Sequence, residues 1–241
     1  MKVLAFNCSP NMHKGNTALI LTPFLEGLEV AGADVELFYT RKLRISPCRG
    51  CFNCWLKTPG MCSQKDDMEI LLPKLRESCI WVFATPIYMD GMAGSMKNLM
   101  DRMLPIVQPF FEVREGHCRH VLREGYKRGK VVLVSNCGFW EIDNFDPLLG
   151  QMRGISKSTA REFAGALLRP HGGAMRPMLD AGLSLDDIFA AAREAGCQLI
   201  ETGSMSDEAL RTISRELVPM DTYIRVANQR FQQVLNNLKK R

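Results

Sequence analysis

Four cysteines carry the most distinctive spacing in this chain, Cys48-x2-Cys51-x2-Cys54-x7-Cys62, within a loop punctuated by Pro47, Gly50, Pro59 and Gly60. Three thiolates at C-x2-C-x2-C with a fourth nearby can wrap one corner of a cubane, each taking one iron of a [4Fe–4S] cluster. Structural zinc more often uses two separated C-x2-C knuckles. A loop held by packing alone, with free or partly oxidised thiols, is the third reading. Of the remaining cysteines, Cys79, Cys118 and Cys197 read as small apolar residues. Cys8 stands beside a polar loop, and Cys137 follows a strand.

A second chemical signal is Ser9-Pro10-Asn11-Met12-His13-Lys14-Gly15-Asn16-Thr17, between an apolar run and a helical pattern. Hydroxyl and amide side chains and a glycine at a strand–helix junction make an anion site. Backbone N–H groups converge there and the helix dipole favours negative charge. The loop has neither the Gly-Lys-Ser/Thr of a Walker A sequence nor the G-x-G-x-x-G of dinucleotide binders, which points to a mononucleotide or monophosphate. His13 and Lys14 read as solvated. The competing reading is a plain helix cap, in which Asn16 or Thr17 satisfies the free N–H groups.

Two further turns follow apolar strands: Thr85-Pro86-Ile87-Tyr88-Met89-Asp90-Gly91-Met92 and Ser135-Asn136-Cys137-Gly138-Phe139-Trp140. Small residues let backbone approach a planar ligand and offer N–H groups to its heteroatoms. Tyr88 and Phe139 read as ring contacts, against the alternative that such aromatics are core or interface residues. Lys97, Asp101 and Arg102 read as a local, structural ion-pair set.

These turns need a frame. Apolar runs at Lys2–Phe6, Ala33–Phe38, Cys79–Ala84, Lys130–Ser135 and Glu162–Leu168 predict five strands. Helical patterns at about Asn16–Ala31, Asp66–Arg76, Ser95–Met103, Asp143–Met152 and Leu185–Glu201 lie between or after them. Strands separated by helices imply a parallel, doubly wound sheet. Its ligand site should lie beyond the carboxyl ends of the strands. From Ser206 the pattern is helical only. The expectation is one domain over 1–205, with the cysteine loop at 44–65, and a helical extension over 206–241 packed on it. Leu104–Gly129 lacks periodicity and is longer than an ordinary connection, so it is a candidate functional loop or subunit contact.

The 241 residues carry 46% hydrophobic and 24% charged side chains, the balance of a globular protein, and a net charge of +5. Basic residues gather at Arg114–Arg128 and Lys239–Arg241 without the aromatic interleaving of a nucleic-acid binder. Met1–Phe6 is too short for a signal h-region and no apolar run reaches membrane-spanning length, so a cytoplasmic location is expected. Nine cysteines in a reducing compartment favour metal or redox roles over disulfides.

S-P-x4-G-N-T after the first strand, P-C-x-G-C-x2-C with Cys62 and Asp66-Asp67-Met68, T-P-I-Y with M-K-N-L-M-D-R, and C-G-F-W-E with Asn144-Phe145 together resemble the NADPH-dependent FMN reductases of the flavodoxin-like superfamily. The four-cysteine loop is similar to that of the iron–sulfur flavoproteins within it. The resemblance implies a flavodoxin-like fold and FMN bound by Ser9, Asn11, Asn16 and Thr17, by Thr85, Pro86, Ile87, Tyr88 and Met89, and by Ser135, Asn136, Cys137, Gly138 and Phe139. It also implies Cys48, Cys51, Cys54 and Cys62 as cluster ligands and a homodimer or homotetramer. The expected function is an FMN-dependent oxidoreductase drawing electrons from NAD(P)H or a reduced carrier such as ferredoxin and passing them to a small acceptor. A flavodoxin-like electron carrier, or a redox sensor built on a zinc or free-thiol loop, are the alternatives.

Overall fold

The computed structural model describes residues 1–239; Lys240 and Arg241, the end of the basic cluster at Lys239–Arg241, lie outside them. The chain runs β1 (Lys2–Asn7), α1 (Asn16–Val30), β2 (Asp34–Tyr39), α2 (Asn53–Leu56), α3 (Met68–Glu77), β3 (Ile80–Tyr88), β4 (Gly91–Met92), α4 (Gly94–Asp101), β5 (Val107–Arg114) and β6 (His117–Leu122). It continues through β7 (Lys130–Asn136), α5 (Asp146–Ser158), β8 (Glu162–Arg169), α6 (Met175–Asp180), α7 (Asp186–Glu201), α8 (Asp207–Ser214) and α9 (Met220–Lys239).

The five expected strands form one parallel sheet in the order β2-β1-β3-β7-β8. Successive side chains of a strand point to opposite faces, so strands covered on both sides read as unbroken apolar runs. In β1, Val3 and Ala5 face the cluster built with Ile20, Phe24, Ile188 and Ile213 of α1, α7 and α8. Leu4 and Phe6 face Leu71, Met96, Leu148 and Met152 of α3, α4 and α5. Helices therefore cover both faces. Helices α1 and α7 pack backbone to backbone: a Cβ on Gly196 would stand 2.3 Å from the Phe24 carbonyl oxygen, and one on Gly27 would collide with that of Arg193.

From β1 the chain turns one way to β2 and the other way to β3. That reversal leaves a crevice at the carboxyl ends of β1 and β3, the switch point at which open α/β sheets bind ligands.

Two elements differ from expectation. The segment Leu104–Gly129 holds an antiparallel hairpin, β5–β6, with an irregular register between Val107 and Phe111 that hides the alternation. Its turn residues Glu115 and Gly116 both have left-handed φ, as a tight two-residue hairpin requires. The helix expected over Asp143–Met152 runs Asp146–Ser158, opened by Pro147. In the C-terminal part, α8 buries Ala209 and Ile213, whereas α9 buries none of its described residues.

Candidate functional site

The loop after β1 is held by its own hydrogen bonds. Ser9 N–H donates to Asn7 Oδ1 (3.0 Å), Asn11 N–H to Ser9 Oγ (3.3 Å), and the Arg41 guanidinium to the Pro10 carbonyl (2.6 Å). Gly15 caps α1 in an extended conformation and no side chain caps the helix. The first N–H groups of α1 are thus left facing the loop without a side-chain acceptor. Thr17 does not act as a cap: its hydroxyl donates to Asn136 Oδ1 at 2.5 Å, tying the first loop to the one after β7. A Cβ on Gly15 would lie 2.5 Å from Ser9 Oγ, so a larger residue here would displace that hydroxyl.

A cavity of about 200 Å³ opens here, lined by Ser9, Asn11, Asn16, Thr17, Pro86, Ile87, Tyr88, Asn136, Cys137 and Gly138. Thr85 and Ser135 do not line it. Both are fully buried, and they lock the two turns together: Ser135 Oγ donates to the Thr85 carbonyl (2.7 Å), and Thr85 Oγ1 accepts from Ala93 N (3.0 Å). Met89 and Phe139 also fall outside the lining and stand exposed. The alternative of core aromatics fails for Tyr88 and Phe139, which are 50% and 60% exposed. Met89 and Asp90, both with left-handed φ, turn β3 into β4.

The loop after β7 is braced from the C-terminal region. Tyr223 Oη donates to the Gly138 carbonyl (2.5 Å), Trp140 Nε1 to the Val218 carbonyl (3.0 Å) and His171 N–H to the Phe139 carbonyl (2.6 Å). His171 stacks on Trp140, and its Nε2 accepts from Leu217 N (2.9 Å), which places the proton on Nδ1. Burial, with the nearby Arg169 charge, pushes this imidazole down to about 4. Cys137 is buried; its thiol donates to the Phe139 carbonyl (3.3 Å) and is raised, chiefly by burial.

In the cysteine loop all four thiols are free; Cys48 and Cys51 are exposed, Cys62 is half-buried and Cys54 is buried. Burial pushes Cys54 up to about 11, and the neighbouring thiols of Cys62, Cys48 and Cys51 add to the rise. Cys54 is therefore the thiol that the other three surround electrostatically. Among the described residues no three Cys, His, Asp or Glu side chains stand close enough to enclose a single metal ion. A cubane takes each thiolate on a separate iron, so its ligands stand wider apart than those of one zinc. The donor set, four thiols on one loop, is the one a [4Fe–4S] cluster takes, one per iron.

Two arginines escaped sequence reasoning. Arg102 was expected to pair locally with Lys97 and Asp101. Lys97 and Asp101 do pair (2.6 Å), but Arg102 is buried and forms a two-pronged bond with Asp66 (2.6 and 3.0 Å), 36 positions away. Helical spacing reveals only neighbours on the same helix. Arg176 of α6 donates to the Gly15 carbonyl (3.2 Å), bringing a cation beside the Ser9–Thr17 loop; no local motif marks it. A larger cavity of about 570 Å³, lined by Met92, Met100, Met103 and Phe111 among others, contains none of the expected cofactor or metal residues but borders the Leu104–Gly129 segment.

A parallel sheet of this order, with a small polar cavity at its switch point, defines a flavodoxin-like α/β protein. Residues 1–123 match the family described as NADPH-dependent FMN reductase, and the chain belongs to that family. An iron–sulfur flavoprotein of Archaeoglobus fulgidus is 36% identical over 129 residues, 54% of this chain and 62% of that protein. The chain thus spans less than two thirds of that relative's length. An iron–sulfur flavoprotein of Methanocaldococcus jannaschii is 29% identical over 157 residues, 62% of this chain and 76% of that one. Among solved structures, an FMN-dependent NADH-azoreductase from Bacillus anthracis in complex with FMN has a TM-score of 0.60 at 15% identity, covering 83% of this chain and 100% of the other. The NAD(P)H:quinone oxidoreductase from Methanothermobacter marburgensis has 0.56 at 17% identity, covering 83% and 96%. At these identities the two structures establish the fold alone.

Proposed function

We propose that the chain binds FMN at the β1/β3 switch point and works as an FMN-dependent oxidoreductase. Electrons come from NAD(P)H or a reduced carrier such as ferredoxin and leave to a small acceptor. The observation that carries this reading is the uncapped N-terminus of α1, which meets Ser9, Asn11 and the β3 and β7 turns in one cavity. The phosphate would sit on the N–H groups of Asn16 and Thr17, with Ser9 Oγ as a further donor and Arg176 nearby. The ring would lie toward Tyr88, Met89 and Phe139, whose exposure leaves one side open to a donor or acceptor.

When bound, FMN supplies both two-electron and one-electron chemistry. The side chains of the cavity are hydroxyls, amides, a phenol, a buried thiol and the apolar Pro86 and Ile87, so the protein's part is to orient the ring and to direct backbone dipoles at it. The loop of Cys48, Cys51, Cys54 and Cys62 would hold a [4Fe–4S] cluster as a second electron site. Helix α4 links the two places: Ser95 at its start bonds to Thr40 and Cys8, and Arg102 at its end holds the loop. Eight residues of helix span about 12 Å. Exposed Phe110, Phe111 and Val113 on β5, and Ile224, Phe231, Val234 and Leu238 on α9, support a homo-oligomer.

Protein purified anaerobically should show flavin absorbance, a broad brown shoulder and about four irons per chain. It should turn over NADPH or reduced ferredoxin repeatedly with a soluble quinone. Material that stays colourless after incubation with excess FMN would refute the flavin reading. Rapid reduction of bound flavin without multiple turnovers would mark a carrier instead of an enzyme.

A further inference from the structure

We infer that Arg102 is a positioning residue for the fourth cysteine of the loop, setting both the place and the electron density of the Cys62 sulfur. The inference rests on the cluster reading proposed above and goes beyond it to one side chain outside the cysteine motif.

Arg102 caps the end of α4 and its side chain is 1% exposed. Its Nη1 donates to Asp66 Oδ2 (2.6 Å) and to the Ser46 carbonyl (2.7 Å); its Nη2 donates to Asp66 Oδ1 (3.0 Å) and to Cys62 Sγ (3.3 Å). Asp66 is buried too, and its carboxylate also accepts from Ser46 N (3.0 Å) and Met68 N (3.2 Å). Ser46 precedes the first cysteine of the motif and Asp66 follows the last. One guanidinium therefore gathers both ends of the loop and aims an N–H at one ligand sulfur.

A planar guanidinium held by a two-pronged carboxylate has little freedom left, so the third contact is fixed in direction. An N–H donated to a ligand thiolate withdraws electron density, and hydrogen bonds to the sulfurs of a cluster favour its reduced, more negative state. Cys48 and Cys51 are exposed and Cys54 is buried, so the four sulfurs are not equivalent. Cys62 is the corner that receives a buried cation.

The test compares anaerobically reconstituted wild-type protein with Arg102→Lys and with the paired variant Arg102→Gln/Asp66→Asn. The pair removes both charges at once, so no lone buried ion is left to unfold the loop. Iron content and the midpoint potential of the cluster, followed by electron paramagnetic resonance, are the readouts. In the paired variant the reduction equilibrium should move at least tenfold toward the oxidised cluster, about 59 mV for a one-electron couple, with Arg102→Lys between it and wild type. Loss of iron from the paired variant while FMN stays bound also supports the role, since the fourth ligand is then no longer held. An unchanged potential with full iron overturns the assignment of Arg102 and leaves the cluster reading standing. Wild-type protein that takes up zinc or no metal overturns both.

Discussion

Replacing Gly15 with alanine isolates the phosphate contact from the rest of the flavin site. The backbone of Gly15 has φ −80° and ψ 159°, a conformation open to any residue, so the substitution brings no torsional strain. Its one severe contact is the new Cβ against Ser9 Oγ, 2.5 Å away, with Asn11 Cβ and the Met12 carbonyl at 3.4 Å. Ser9 must rotate out, losing its bond from Asn11 N and its place toward a bound anion. A hydrogen bond to a charged group is worth about 1.5–3 kcal/mol, so FMN affinity should fall roughly 10- to 150-fold. Riboflavin, which has the same ring and no phosphate, should bind as it does to the wild type. Titration of the two ligands by flavin fluorescence quenching measures both numbers. Equal losses for FMN and riboflavin, or no loss for either, would show that the Ser9–Thr17 loop does not hold the phosphate.

Other perturbations probe the frame around that site. Thr17→Val removes the donor to buried Asn136 Oδ1 and should cost about 1–3 kcal/mol of stability in urea titration, with weaker FMN binding. Gly196→Ala forces a Cβ to within 2.3 Å of the Phe24 carbonyl, parting α1 from α7; the denaturation midpoint should drop by the equivalent of about 3 kcal/mol. The His171 imidazole lies near 4 in the fold against an ordinary 6.5, so the unfolded chain takes up its proton first. The stability it contributes is complete above pH 6.5 and is lost as pH falls toward 4, by as much as about 3 kcal/mol. His171→Asn, which tolerates the left-handed backbone at this position, should flatten that acid slope in unfolding curves; an unchanged slope would remove His171 as its source.

The central strands were legible because burial on both faces leaves little room for polar residues: Ile80–Ala84 is apolar throughout and lies at the middle of the sheet. The loop positions followed from those strands, since a parallel sheet puts every strand end on one edge. What stayed hidden has a physical cause in each instance. The β5–β6 hairpin breaks its own alternation at Pro109-Phe110-Phe111, where the register shifts, although Glu115-Gly116 was a usable turn signal. Thr85 and Ser135 sit in site loops, yet whether a hydroxyl points at a cavity or at a neighbouring strand depends on the pleat, which one sequence does not state. Arg102 and Asp66 stand on opposite sides of α3, β3 and α4 in the sequence, so no local pattern links them. His171, Tyr223 and Trp140 assemble from three separate segments for the same reason.

The bracing of the Gly138 turn by Leu217, Val218 and Tyr223 orders events during synthesis. A ribosome delivers the Ser9–Thr17 loop first and the β7 turn well over a hundred residues later, but the last tether arrives only with residue 223. A nascent chain stalled before that point would have its sheet strands and its Ser9–Thr17 loop already made, with the turn after β7 still loose. Flavin capture should therefore be among the final steps of maturation, and C-terminal truncations that spare the sheet should yield a protein that holds its cofactor poorly.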